Sequence, residues 1–323
     1  MAAALKLAQQ VAKIKQLKFV HSAILFSPVS KSYLILQDVL TSSNKNTAKN
    51  NLASNHVSDN LYHKQKASNW TPFVFFILLI FSFSIHATNC NSQHYDQTIT
   101  VSKVYDGDTL RLADGQKLRL IGINTPERGH DGMPDQPFYP EAKKRLEKII
   151  HANQNKLKII LGTDKHDRYK RLLAHIFTPG GDNISAILLR EGLGYSIAIP
   201  PNLNFLNCYK KAEYDAKKQQ HGIWGHDFSK PIKASTLSKS NLGFQQVIGR
   251  VQRIGESSSS FWLNLDTKFA LKVQKKYLVQ FSTYRPNELL NKKLIARGWI
   301  YYRNNEYRMS IKHPASIQLL NTD

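Results

Sequence analysis

The chain has 323 residues and a mass of 36.8 kDa, with 45 Lys and Arg against 23 Asp and Glu, a net charge of +22 and a pI near 9.9. That length excludes a stapled mini-protein, and 41% hydrophobic residues with a mean hydropathy of −0.39 exclude both a polytopic membrane protein and a wholly disordered chain. Two cysteines, Cys90 and Cys208, exclude a disulfide-dense scaffold and a four-cysteine zinc site, while the basic excess favours a polyanionic partner, nucleic acid first and an anionic membrane surface second.

Residues 1–69 read as a poorly ordered extension, with short apolar runs before position 40 and a Ser-, Asn- and Lys-rich stretch after it. Residues 72–85 then form a continuous apolar and aromatic run, preceded by Lys64 and Lys66 and followed by Ala87. The run is shorter than the roughly 20 residues of a spanning helix. It suits the core of an export signal over 70–87, with cleavage after Ala87. The competing reading is an uncleaved membrane anchor with a basic cytoplasmic tail. Export signals begin near a start, and no methionine lies between Met1 and Met133, so residues 1–60 are expected to be a misassigned extension. Export would place Cys90 and Cys208 where they could pair, although their spacing does not require it.

Alternation predicts strands over residues 98–105, 109–112 and 116–123, separated by turns at Asp106-Gly107-Asp108 and at 113–115. Pro140 opens a helical pattern through 150. Strands follow at 156–161 and 171–177, then a helix capped by Asn183 that runs to Arg190, and a charged helix over 204–220. Five strands with interposed helices suggest an OB-type barrel over 97–228, an α+β arrangement.

Polar residues gather at the ends of these strands. Asp106 and Asp108 flank a glycine, Arg119 interrupts an apolar strand, Asn124-Thr125-Pro126-Glu127 closes that strand, and Asp167-Arg168-Tyr169-Lys170-Arg171 leads into another. Loop carboxylate and amide oxygens are what a hard cation takes. Two arginines around an acid suit a phosphodiester, because planar guanidinium forks bind phosphate oxygens and offset charge that develops on them. Taken singly, each cluster has an ordinary structural role as a hairpin turn, a snorkelling arginine or a solvated basic face.

In order and spacing, residues 104–109, 119–127 and 167–174, with 188–194 and 222–224, closely resemble the staphylococcal thermonuclease (nuclease-like) family. The resemblance implies an OB-fold nuclease that hydrolyses DNA and RNA with calcium. By motif position Glu127 looks like the general base, and Arg119 and Arg171 like the phosphate clamp. Asp108, Asn124 and the Thr125 carbonyl look like the metal ligands. Tyr169, Arg168 and Tyr195 are the expected substrate contacts. Asn124 stands where the founding member has Asp, so calcium should be held less tightly. The segment after Gly194 lacks the tyrosines that member stacks on a nucleotide. An alternative is a nucleic-acid-binding OB protein with weakened catalysis.

Residues 229–241 read as a linker. Beyond it, strands are expected at 243–254, 261–265, 269–273, 277–282, 294–303 and 307–311, a second, OB-like β-barrel over 242–323. Residues 229–323 hold 16 basic and 5 acidic side chains, half of the net charge. Tyr277, Trp262, Trp299, Tyr301 and Tyr302 alternate with those cations, a composition suited to stacking bases and tracking a phosphate backbone.

Overall fold

The computed structural model describes residues 90–129 and 132–320. The expected extension and the apolar run at 72–85 lie outside those residues. Among the described residues no helix is long and apolar enough to cross a membrane.

The first half builds a closed barrel. Strand β1 (Gln97–Val104) buries Ile99, Val101 and Val104, and pairs antiparallel with β2 (Thr109–Leu112), which pairs with β3 (Lys117–Leu120). Strand β5 (Lys156–His166) pairs with β1 on one side and β6 (Leu172–Phe177) on the other, and β6 closes the ring by running parallel to β3. Closure leaves no free edge, so inward side chains can be uniformly apolar. Leu110, Leu118, Leu157, Ile159 and Ile176 are completely buried there. A short pair, β4 (Ile123–Asn124) with β7 (Tyr195–Ser196), stands outside the barrel path.

Helix α1 (Tyr139–Ala152) carries Pro140 in its first turn and buries Ala142, Leu146, Ile149 and Ile150, one stripe at helical spacing. Helix α2 (Ile184–Arg190) is capped by the Asn183 side chain, which accepts the Ala186 N–H at 3.1 Å. Helix α3 (Leu206–Lys218) buries Tyr209, Ala212, Glu213 and Ala216. Gly122, at φ +84°, lies flat against Tyr209, and a Cβ there would collide with the ring. The Tyr209 hydroxyl meets His175 Nδ1 at 2.7 Å, and burial lowers the His175 pKa to about 4, which keeps the ring neutral.

Cys90 and Cys208 form a disulfide that ties the start of the described chain to α3 across 118 positions. A loop of that size removes much denatured-state freedom. Cys208→Ser should therefore lose about 2–4 kcal/mol of unfolding free energy, and dithiothreitol should lower the parent chain's denaturation midpoint but not the variant's. Equal sensitivity of both to the reductant would mean that the bond contributes nothing.

The second half is one eight-stranded sheet, in the order β10-β11-β12-β14-β13-β9-β8, with the short β15 (Ile317–Leu319) added against β13. Its members are β8 (Ile232–Lys233), β9 (Gly243–Arg250), β10 (Arg253–Glu256), β11 (Ser260–Asp266), β12 (Phe269–Gln274), β13 (Lys293–Arg303) and β14 (Glu306–Ile311). The sheet curls around a core of its own that includes Val247, Leu263, Leu271, Leu294 and Met309.

Three segments differ from their sequence reading. Residues 229–241 are more than a tether, because β8 within them pairs parallel with β9 and Ala234 joins the second core. The expected strand over 243–254 breaks at Val251, which is wholly buried, and the chain turns from β9 into β10. The expected strand over 277–282 is instead a 3-10 helix, Lys275–Gln280. Both edges of β12 are already taken, by β11 and β14, so the chain leaving β12 has no neighbouring edge to pair with.

The two halves are joined by a buried ion pair and a row of rings. Arg297 on β13 meets Glu213 on α3 at 2.6 Å, and the same carboxylate accepts the Ser196 N–H at 2.9 Å. Trp224, Tyr195, Phe244 and Trp299 stand in sequence, with successive centroids 5.2, 5.1 and 5.0 Å apart.

Candidate active site

Parallel pairing of β3 with β6 sets Arg119 opposite Leu173, two residues from Arg171, so arginines 52 positions apart in the chain share one end of the barrel. Glu127 follows β4, whose Asn124 is paired with Tyr195. Its backbone is held at two points, because Glu127 N–H donates to Gln136 Oε1 at 2.9 Å and Gln136 N–H donates to the Glu127 carbonyl at 3.0 Å. Sequence reading missed Gln136, and nothing in its local pattern marks it.

The Asp106-Gly107-Asp108 turn faces this group from the β1–β2 connection. A Cβ on Gly107 would lie 2.8 Å from the Ala142 and Thr125 side chains, so the turn can pack here only with glycine. Asp108 is completely buried; its Oδ2 accepts the Thr125 N–H at 2.8 Å and pairs with Arg119 at 2.6 Å. Arg119, also buried, donates to Asn124 Oδ1 at 3.2 Å and to the Ile123 carbonyl at 3.1 Å. Burial, then the charge of Asp108, pushes the Asp106 carboxyl up to about 7, with Glu127 adding a smaller push in the same direction. Asp106 thus belongs to the site's electrostatics, although only its neighbour was expected to act there.

Arg171 is latched to Asp167 through Nε at 2.7 Å and Nη2 at 2.7 Å. Partial burial raises Asp167, but the hydrogen bonds from Arg171 and Tyr169 outweigh it, and its carboxyl lies below the usual range. The Asp167 latch occupies one edge of the guanidinium and leaves the Nη1 side for a phosphate oxygen. Arg168 and the exposed Tyr169 sit on the same turn, with the Arg168 guanidinium 4.7 Å from the Tyr169 ring centre.

Arg119, Asn124, Glu127, Arg168, Tyr169 and Arg171 all line one cleft of about 910 Å³. Tyr195 does not line it. Its ring is packed between Trp224 and Phe244, and burial first, then Glu213, raises its hydroxyl pKa to about 12. That placement corrects its expected role as a substrate contact. It is a β7 residue paired with Asn124, and its side chain is consumed by the contact between the two halves.

The candidate ligand atoms here are oxygens: the Asp108 carboxylate and Asn124 Oδ1, both also engaged by the Arg119 guanidinium, and a buried Thr125 Oγ1 that has no hydrogen-bond partner. Such a set, with the crowded Asp106 beside it, fits a hard cation of the calcium type. Among the described residues no three His, Cys, Asp or Glu side chains cluster as a metal site.

The model of the family described as Staphylococcal nuclease homologue matches residues 117–226. The thermonuclease of Staphylococcus hyicus is 32% identical over 134 residues, 41% of this chain and 78% of that protein, and the thermonuclease of Staphylococcus intermedius is 31% identical over 131 residues, 40% of this chain and 76% of that protein. The chain belongs to the staphylococcal nuclease family. It is also 30% identical over 130 residues to the SPbeta prophage-derived endonuclease YokF of Bacillus subtilis (strain 168), 39% of this chain and 43% of that protein. The closed five-stranded barrel with its helices is the OB-fold of the family, and the second, curled sheet is appended to it.

Proposed function

We propose that this member of the staphylococcal nuclease family is a calcium-dependent nuclease that hydrolyses phosphodiester bonds of nucleic acid after export from the cell. The observation that carries the reading is one cleft in which Glu127 stands with two guanidinium groups, each already oriented by a carboxylate. Glu127 takes a proton from the attacking water as general base, and the two hydrogen bonds between its backbone and Gln136 fix its direction of approach. Arg119 and Arg171 bind the non-bridging phosphate oxygens and stabilise the charge that grows on them as the phosphorus becomes five-coordinate. Protonation of the departing oxygen completes the reaction, and a guanidinium N–H close to that oxygen lowers its cost. Calcium bound by Asp108, Asn124 and the Thr125 carbonyl would supply further positive charge to the phosphate. The Cys90–Cys208 bond, rare in a reducing cytosol, supports export, as does the apolar run ahead of it.

Asn124 favours a second reading, a nucleic-acid-binding protein with weakened catalysis, because an amide contributes no charge to the ion. A zymogram on embedded DNA and RNA, run across free calcium for the parent chain and Asn124→Asp, tests both. Clearing that needs calcium and disappears with chelator is expected, with half-saturation for Asn124→Asp about tenfold lower or more. Clearing by Asn124→Asp alone would establish the weakened reading. Its absence from both would remove the nuclease.

A further inference from the structure

The cleft has two walls, and the chemistry above uses one of them. The other is β13 of the appended sheet. Along β13, Leu294, Ala296 and Ile300 enter the second core, while Arg297, Trp299 and Tyr301 stand on the opposite face. Arg297 is spent on Glu213. Trp299 and Tyr301, the next two positions on that face, line the cleft that also holds Glu127, Arg119 and Arg171. Trp299 is 44% exposed although it stands between two folded halves, and its ring contact is an edge-on one with Phe244 at 5.0 Å. Lys312, just after β14, lines the same wall.

Apart from Tyr169 on the 167–171 turn, the barrel's contribution beside Tyr195 is aliphatic. Residues 197–200, Ile-Ala-Ile-Pro, line the cleft, and Tyr195 beside them is turned away into the ring row. The flat faces available to a base inside the cleft therefore come largely from the appended sheet.

We propose that Trp299 and Tyr301, with Lys312, form a subsite that binds single-stranded nucleic acid, the rings stacking on unpaired bases and the ammonium meeting a phosphate. This inference rests on the nuclease reading and names its substrate class. Side chains at i and i+2 of a strand stand about 6.7 Å apart, twice the roughly 3.4 Å rise per nucleotide of a duplex. Neighbouring bases can lie against both rings only when unstacked from each other. A single strand meets that requirement at little cost, whereas a duplex must first be opened. The alternation along β13 puts both rings on the face away from the second core, and Trp299, although it ends the row that joins the two halves, keeps 44% of its surface exposed.

The test uses the full chain in chelator, so that binding is read whether or not the strand is cut. Fluorescence anisotropy follows a labelled single-stranded oligonucleotide and its matching duplex. Trp299→Ala and Tyr301→Ala should each raise the single-strand Kd by roughly tenfold or more, Trp299→Phe should recover most of the loss, and duplex binding should change by less than about twofold. Lys312→Ala should make the dependence of log Kd on log salt shallower by about 0.7, one phosphate's worth on a single strand. If Trp299→Ala unfolds early, Tyr301→Ala and Trp299→Phe decide. Unchanged single-strand binding in Tyr301→Ala, or equal losses on single strand and duplex, would overturn the subsite while leaving hydrolysis intact. Binding through these rings by a parent chain that clears no zymogram would instead overturn the nuclease reading alone.

Discussion

Glu127→Gln hydrolyses a phosphodiester at least about 10³-fold more slowly than the parent chain and unfolds at the same midpoint. The expectation follows from where the group stands. Its carboxylate borders the cleft, and its backbone is secured by Gln136, so the amide changes the chemistry and leaves the packing. Arg171→Ala should lose about 10²- to 10³-fold, because it removes a positioned donor on the developing charge, and its partly exposed ion pair with Asp167 adds little to stability. Arg171→Lys should not rescue it, since an ammonium cannot be held by Asp167 along one edge while offering a second edge to phosphate. Arg119 is a poorer probe. It neutralises a completely buried Asp108, and removing it would strand that charge and destabilise the fold. Steady-state rates on a defined oligonucleotide, with denaturant melts of each variant, are the measurement. Full activity in Glu127→Gln or Arg171→Ala with a normal melt would take the assignment away.

Arg297→Ala should cost about 3–5 kcal/mol of stability. Burial alone would raise the Glu213 carboxyl, but Arg297 and Lys217 outweigh it and hold the group below its usual range, so it is ionised at neutral pH. Truncating Arg297 leaves that charge buried at 4% exposure, with Lys217 at 3.3 Å as its remaining ion-pair partner. The double variant Arg297→Met/Glu213→Leu should recover most of the loss, because it removes both charges together and keeps the volume filled. Urea melts of the single and double variants read the difference. An unchanged midpoint in Arg297→Ala would mean that the two halves are held by the row from Trp224 to Trp299 and not by this pair.

The docking of those halves also explains why the site was only partly legible beforehand. Order and spacing along the chain singled out Arg119, Glu127, Arg171, Asp108 and Asn124 as candidates, since strand ends are marked locally by turns, and the structure brings Arg119, Asn124, Glu127 and Arg171 to one cleft with Asp108 paired to Arg119. Periodicity placed the barrel strands and three helices among the described residues, since alternation and 3.6-residue spacing each record one face buried against a core. Asn183 could be named as a cap from its own position, and the structure shows it accepting the Ala186 N–H.

Periodicity says that a face is covered and never what covers it. Tyr195 reads the same whether its ring stacks on a base or on Trp224 and Phe244, and only the docked sheet decides between them. Residues 277–282 carry a strand's composition, but pairing requires a free edge, and β12 has none to offer. The pairing of β3 with β6 that brings Arg119 near Arg171, and the approach of Trp299 and Tyr301 to Glu127 from the other end of the chain, depend on contacts between residues far apart in sequence. The sequence by itself determined the family and which faces are buried. The tertiary structure decided which of those faces meet, because that depends on the closure of the barrel and on a buried ion pair 84 positions apart, neither of which leaves a local mark.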